Sequence, residues 1–175
     1  MQVFLIRHPR PQVEAGVCYG QLDLPAVEVA QTALALRARL PPDLPVISSP
    51  LQRCRALAEA LHPAPRLVPG LMEMHFGEWE GKRWDDISIA ALDAWAADLL
   101  HYAPPGGESA GMLQARSVAS LNALAAEGLA ACIVVTHAGV MRAAAGHAQQ
   151  LPVTAWSQLK FAYGECLVLS WPSRV

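Results

Sequence analysis

Residues 131–139 read Ala-Cys-Ile-Val-Val-Thr-His-Ala-Gly. The first six carry no charge and are β-branched from Ile133 to Thr136, the pattern of a strand buried within a parallel sheet. The residues after it predict a helix over 138–150, closed by Pro152. His137 therefore stands between a buried strand and a helix. Ligands of α/β sheets bind outside the carboxyl ends of the strands, which is where this histidine falls.

The same alternation extends in both directions. Val3-Phe-Leu-Ile6 is a short apolar strand that ends at Arg7-His8, and Pro9, Pro11, Gly16, Gly20 and Pro25 mark a long loop after it. An apolar stripe predicts a helix over 28–40, stopped by Pro41-Pro42. A second strand is expected at 45–48. Ser49 as N-cap and Pro50 at the first helical position then open a helix reaching 61. An edge strand is expected at 66–68, a loop at 69–81 and a long helix over 84–102, broken by Pro104-Pro105-Gly106-Gly107. A further helix covers 109–127, and 159–163 with 166–171 flank Gly164-Glu165 as a terminal hairpin. The expected fold class is α/β, a three-layer αβα sandwich with a mostly parallel sheet and an antiparallel edge. Without a linker, repeat or low-complexity tract, residues 1–175 read as one domain.

Composition narrows the function classes. The chain of 175 residues carries 13 Lys+Arg against 15 Asp+Glu, a formal charge of −2. With no basic excess, neither nucleic acid nor an anionic membrane is an expected partner. Charges interrupt every apolar stretch before the roughly 20 residues that a membrane helix needs. Arg7 also cuts the first apolar run too early for a signal peptide. Cys18, Cys54, Cys132 and Cys166 form no CxxC pair and are expected as reduced, core-filling thiols of a cytoplasmic protein.

Four chemistry-bearing residues collect at the expected strand ends: Arg7 and His8, Arg53 one turn into its helix, and His137. Two guanidinium groups beside helix N-termini make an anion site, because their planar forks match phosphate oxygens. Cations also favour neutral imidazole, which leaves a ring nitrogen free to attack phosphorus. The expectation is phosphoryl chemistry with a histidine nucleophile.

Five segments carry a resemblance. Leu5-Ile-Arg-His-Pro9 is similar to an RHG signature and Ser48-Ser-Pro-Leu-Gln-Arg53 to an SxLxR segment. Leu71-Met-Glu-Met-His-Phe-Gly-Glu-Trp-Glu-Gly81 resembles a stretch that carries a general acid. Pro105-Gly-Gly-Glu-Ser109 and Val135-Thr-His-Ala-Gly139 complete the order. Together they resemble the histidine phosphatase superfamily, the phosphoglycerate mutase-like fold. The resemblance implies that His8 becomes a phosphohistidine, while Arg7, Arg53 and His137 hold the phosphoryl oxygens. It implies that Glu73 protonates the leaving oxygen and then activates water, a bound phosphate helping to keep the proton on it. No metal and no cofactor are implied, since guanidinium groups do what Mg²⁺ does elsewhere. The implied partner is a small-molecule phosphate ester.

The segment Gly16-Val-Cys-Tyr-Gly-Gln-Leu-Asp-Leu-Pro25 is similar to the branch containing alpha-ribazole phosphatases of cobalamin synthesis, which makes Tyr19 and Gly20 candidate substrate contacts. Pro9 replaces the usual glycine, removing an N–H beside the phosphate, and either alters the loop or pre-sets His8. Glu14 stands near where many members carry a phosphate-binding Asn. Glu78 and Glu80 compete with Glu73 for the acid role. Arg10, Arg55, Arg142, His62 and His75 read as surface residues. Trp79 and Trp84 line a pocket, or Trp84 and Trp95 belong to the core. A metal site from His8, His75, His137 and Asp23 lacks ligand spacing. The open alternatives are a broad-specificity sugar-phosphate, nucleotide or phosphohistidine phosphatase, a mutase, and a non-catalytic phospho-ligand binding domain.

Overall fold

Five strands form one sheet in a computed structural model that describes residues 1–172. In chain order they are β1 (Gln2–Arg7), β2 (Val46–Ser48), β3 (Arg66–Leu67), β4 (Ala131–Thr136) and β5 (Cys166–Ser170), ordered β3-β2-β4-β1-β5 across the sheet. The 131–136 segment does take the centre. β1 and β2 both pair with it in parallel, β3 extends β2 in parallel, and β5 adds the antiparallel edge along β1.

Alternation along the central strands divides the core. Val3 and Leu5 with Cys132 and Val134 face one side, where they meet Leu121 and Leu124 of α4 (Ala110–Ala126) and Met141 of α5 (Ala138–Ala148). Phe4 and Ile6 with Ile133 and Val135 face the other, against Leu36 of α1 (Val29–Arg37) and Leu57 of α2 (Gln52–Leu61). A sheet with helices on both faces is the expected three-layer architecture. Among the described residues no helix is long and apolar enough to cross a membrane, and all four cysteines are free thiols.

Several local expectations are corrected. Ser49 does not cap α2: its N-cap is Leu51, in extended geometry without a side-chain cap bond. The cap comes from far along the chain, since Asp23 accepts the Gln52 N–H at 2.7 Å and the Gln52 side-chain amide at 3.1 Å. α1 begins only after Glu28, which sits in left-handed geometry, and ends at Arg37. The helix expected over 84–102 is broken into a 3₁₀ turn at Trp84–Asp86 and α3 (Ile89–Ala97). Ser88 separates them by accepting the Ala91 N–H, so a new helix start outcompetes continuation. α4 keeps its expected start, with Ser109 capping the Met112 N–H.

The terminal hairpin does not form. Val153–Gln158 is a 3₁₀ segment, and β5 pairs with β1 rather than with 159–163. Backbone acceptors that a hairpin would use are taken: the Leu159 carbonyl accepts from Arg142 Nε at 3.0 Å and the Phe161 carbonyl from Arg7 Nη1 at 2.6 Å.

Trp156 lies flat on α5 at Gly146, where an added Cβ would collide with the indole nitrogen. Gly146→Ala should therefore destabilise the protein by about 1–2 kcal/mol in urea unfolding, overpacking outweighing the helix-propensity gain of about 1 kcal/mol. The same change in a Trp156→Leu background should stabilise it. A stabilising Gly146→Ala in the unaltered protein contradicts the close packing.

Candidate active site

Register places the site. Arg7 pairs with Thr136 and Ser48 with Val135, so the carboxyl ends of β1, β2 and β4 finish level. The next residues continue the ladder: His8 N–H donates to the Thr136 carbonyl at 2.9 Å and Ser49 N–H to the Val135 carbonyl at 3.0 Å. His8, Ser49 and His137 are thereby brought side by side, and the two imidazole centroids lie 5.0 Å apart.

His8 is almost fully buried. Its Nδ1 lies 2.6 Å from the Pro9 carbonyl. A carbonyl only accepts, so Nδ1 carries the proton and Nε2 keeps its lone pair. Burial and then Arg53, with a lesser push from Arg7, bring the His8 pKa from 6.5 down to about 3, the Pro9 bond opposing them in part. His137 is completely buried and is driven well below 6.5 by burial first and then by Arg53. Its Nε2 lies 2.8 Å from Ser49 Oγ and 3.3 Å from Cys54 Sγ. Both rings are neutral at pH 7.

The two arginines stand around them. Arg53 is wholly buried, and the loop after β1 supplies its acceptors: Nη1 donates to Leu22 at 2.9 Å and Nη2 to Gly20 at 2.5 Å. Its guanidinium carbon lies 5.2 Å from the Tyr19 ring centroid. That of Arg7 lies 3.9 Å from the Tyr163 ring centroid, and Tyr163 in turn is 5.6 Å from His8, ring to ring. The Nε groups of both arginines are buried and have no partner among the described residues. Buried N–H groups are almost always satisfied, so two orphans beside two neutral imidazoles describe a seat for an oxyanion.

Glu73 meets the helix that starts after His137. Its carboxylate accepts the Met74 N–H at 2.9 Å and the N–H of Gly139, in the first turn of α5, at 3.1 Å. A Cβ on Gly139 would run into that carboxylate, so only glycine permits the approach. The competing acids are placed elsewhere. Glu78 is exposed, and Glu80 accepts the N–H groups of Gln21 and Phe76 at 2.8 and 2.9 Å.

From Glu73 a cavity of about 340 Å³ runs away from the histidines, with Met74, Phe76, Trp95, Leu113, Arg142 and Trp156 in its wall. Arg142 is thus not the surface residue expected. It is half-buried, and burial lowers its pKa. Trp79 and Trp84 lie in an aromatic cluster with Cys18 and Ile87, so they are core, while Trp95 joins that cluster to the cavity.

Tyr19 does approach the site, its hydroxyl 3.3 Å from that of Tyr163, with its pKa raised by burial and then by that bond. Gly20 serves Arg53 through its carbonyl, and a Cβ there would lie 2.5 Å from the Met74 carbonyl. Glu14 is exposed, as are the Arg10–Glu28 and Arg55–Glu59 pairs. Asp23 is committed to α2 and the His75 N–H to Glu108. Two site residues escaped the sequence reading. Tyr163 gave no signal beyond the supposed hairpin turn. Ser49 was visible inside Ser48–Arg53 but read as a cap.

Known proteins resemble the chain along its length. The description "Histidine phosphatase superfamily (branch 1)" matches residues 3–174. The structure of TTHB049 from Thermus thermophilus is 33% identical, over 99% of this chain and 96% of that one, with a TM-score of 0.77. Mycobacterial glucosyl-3-phosphoglycerate phosphatase Rv2419c with VO3 is 29% identical over 97% and 92% of the two chains, with a TM-score of 0.82. The adenosylcobalamin/alpha-ribazole phosphatase of Salmonella typhimurium is 30% identical over 120 residues, which span 62% of this chain and 59% of that relative. Strand-end histidines, paired arginines and the match along nearly the whole length lead to one assignment: the chain belongs to branch 1 of the histidine phosphatase superfamily.

Proposed function

We propose that residues 1–175 act as a single cytoplasmic domain that hydrolyses small phosphate monoesters through a phosphohistidine, without a metal. The observation that carries this reading is the neutral His8, whose Nε2 lone pair is free beside two buried, unpaired arginine N–H groups. Nε2 attacks phosphorus, the ester P–O bond breaks, and Glu73 passes its proton to the departing oxygen. The positive charge arising on the ring is steadied by the Pro9 carbonyl at Nδ1–H. Arg7, Arg53 and His137 take the equatorial oxygens, as planar donors suit a metaphosphate-like transition state. Water then attacks the phosphohistidine, Glu73 accepts its proton, and the P–N bond breaks to restore neutral His8. Pro9 thus orients the nucleophile, which favours turnover over mere binding of a phospho-ligand.

Alpha-ribazole phosphate is the first-choice substrate. Phe76, Trp95 and Trp156 give the cavity next to Glu73 a wall for a flat apolar ring, and one relative bears that activity in its name. A sugar-phosphate ester is the second reading, favoured by the name of the mycobacterial relative. A rapid-quench experiment with both esters tests the proposal. Acid-labile phosphate should appear on the wild-type protein and not on His8→Ala, whose turnover should be abolished. Turnover without such an intermediate removes His8 from the chemistry. Equal kcat/KM for the two esters defeats the ring-bearing substrate.

The buried imidazoles also set a pH dependence. Below pH 6.5 the unfolded chain protonates these histidines, whereas folded His8 stays neutral down to about pH 3. Stability contributed by the neutral folded form is therefore complete above pH 6.5 and is lost as pH falls toward 3. Nitrogen-15 NMR of the imidazoles should show His8 as the neutral Nδ1–H tautomer from pH 8 to 5. A half-titration of His8 near pH 6.5 contradicts the site electrostatics.

A further inference from the structure

Arg116 of α4 satisfies all five of its N–H donors, three of them on one short stretch of chain. Nη1 donates to the carbonyls of Gly70 at 3.0 Å and Met72 at 2.7 Å, and Nη2 to the carbonyl of Glu73 at 2.8 Å. The remaining two N–H groups go to Glu108, Nε to Oε2 at 3.0 Å and Nη2 to Oε1 at 2.5 Å. Glu108 then reaches past residue 73 and accepts the His75 N–H at 2.9 Å. Both side chains are mostly buried, 24% and 11% exposed.

A guanidinium is rigid and planar, with five N–H groups in fixed directions. Using three of those directions on carbonyls 70, 72 and 73, and closing the other side through Glu108 onto residue 75, fixes the backbone on both flanks of Glu73. The fit is tight around it: a Cβ on Gly70 would collide with Ser120 Oγ of α4, and one on Gly107 with the His75 carbonyl. The stretch 70–75 has only a 3₁₀ turn at its start and no strand partner, so backbone hydrogen bonding alone does not fix it.

We infer that Arg116 and Glu108 are positioning residues for the general acid, holding the Glu73 backbone so that its carboxyl meets the leaving oxygen. The inference rests on the phosphatase reading of the site and on Glu73 as its acid. Misplacing a catalytic group by about 1 Å costs about 100-fold in rate. In the first step, transfer of the phosphoryl group to His8, a loss of placement at Glu73 falls on esters that need a proton on departure and spares those that do not. A purely structural role predicts instead a fall in the amount of folded protein, which affects every ester alike.

The test compares kcat/KM, which covers only the steps up to phosphorylation of His8, on glycerol 2-phosphate, a poor leaving group, and on 2,4-dinitrophenyl phosphate, a good one. Rates are taken per active site counted by a phosphoenzyme burst, and thermal midpoints are recorded alongside. Arg116→Met should lower the glycerol 2-phosphate rate by about 100-fold and the dinitrophenyl rate by less than about 3-fold. Glu108→Gln keeps an acceptor for the His75 N–H and should show the same pattern more weakly; it decides the matter where Arg116→Met does not fold. Arg116→Lys, which restores the charge but not the fork, should recover the midpoint while leaving the glycerol 2-phosphate rate low. Equal losses on both esters, or unchanged rates per active site, overturn the inference. Glu73→Gln serves as the comparator. If it lowers both esters equally, the acid assignment fails and the inference with it, and a wild-type protein that hydrolyses neither ester overturns the phosphatase reading itself.

Discussion

Everything at the site depends on the register of β1 and β2 against β4. Side chains alternate along a strand, so a slip of one residue would turn His8 away from the pocket and carry Val3 and Leu5 to the opposite core. The core prevents that slip, because two apolar clusters demand opposite parities of the same strand. Hydrophobic packing therefore fixes where the two imidazoles stand. The hydrogen bonds from His8 to Thr136 and from Ser49 to Val135 carry the fixed register one residue beyond the strands.

Burying Arg53 without an anionic partner is expensive unless its donors are met. The long loop after β1 meets that cost with the Gly20 and Leu22 carbonyls, and the loop is itself tied down by Asp23 on α2 and by Glu80 on Gln21. In this loop, which has no regular structure, two backbone carbonyls serve as counter-groups of a buried cation. Burial first, and then the same guanidinium, keeps both histidines neutral, so charge and nucleophile are prepared together.

Much of this was legible in the sequence. The strand ends near Ile6 and at Thr136, the apolar central strand, and the residues Arg7, His8, Arg53 and His137 could be read from local patterns because each stands at or near a punctuated junction. Glu73, and its choice over Glu80, was legible only through family resemblance; the two acids differ in place, Glu73 lying against the first turn of α5 and in the cavity wall, Glu80 against Gln21 and Phe76. What could not be read were partnerships between remote segments. Asp23 capping α2, Tyr163 beneath Arg7 and Arg142 in the cavity wall all pair residues far apart in the chain, and no local periodicity encodes them. The supposed hairpin failed for the same reason: its acceptors were claimed by Arg7 and Arg142.

The cavity wall formed by Val153, Trp156 and their neighbours belongs to a 3₁₀ segment that lends no strand to the sheet. On the proposed reading, phosphate chemistry is written in the strand ends, and the cavity that would take the alcohol is written largely in this strap and in α5 and α3. The two can diverge independently. Descendants of one ancestral scaffold can thus trade customers by redrawing a short strap while the reacting centre stays intact.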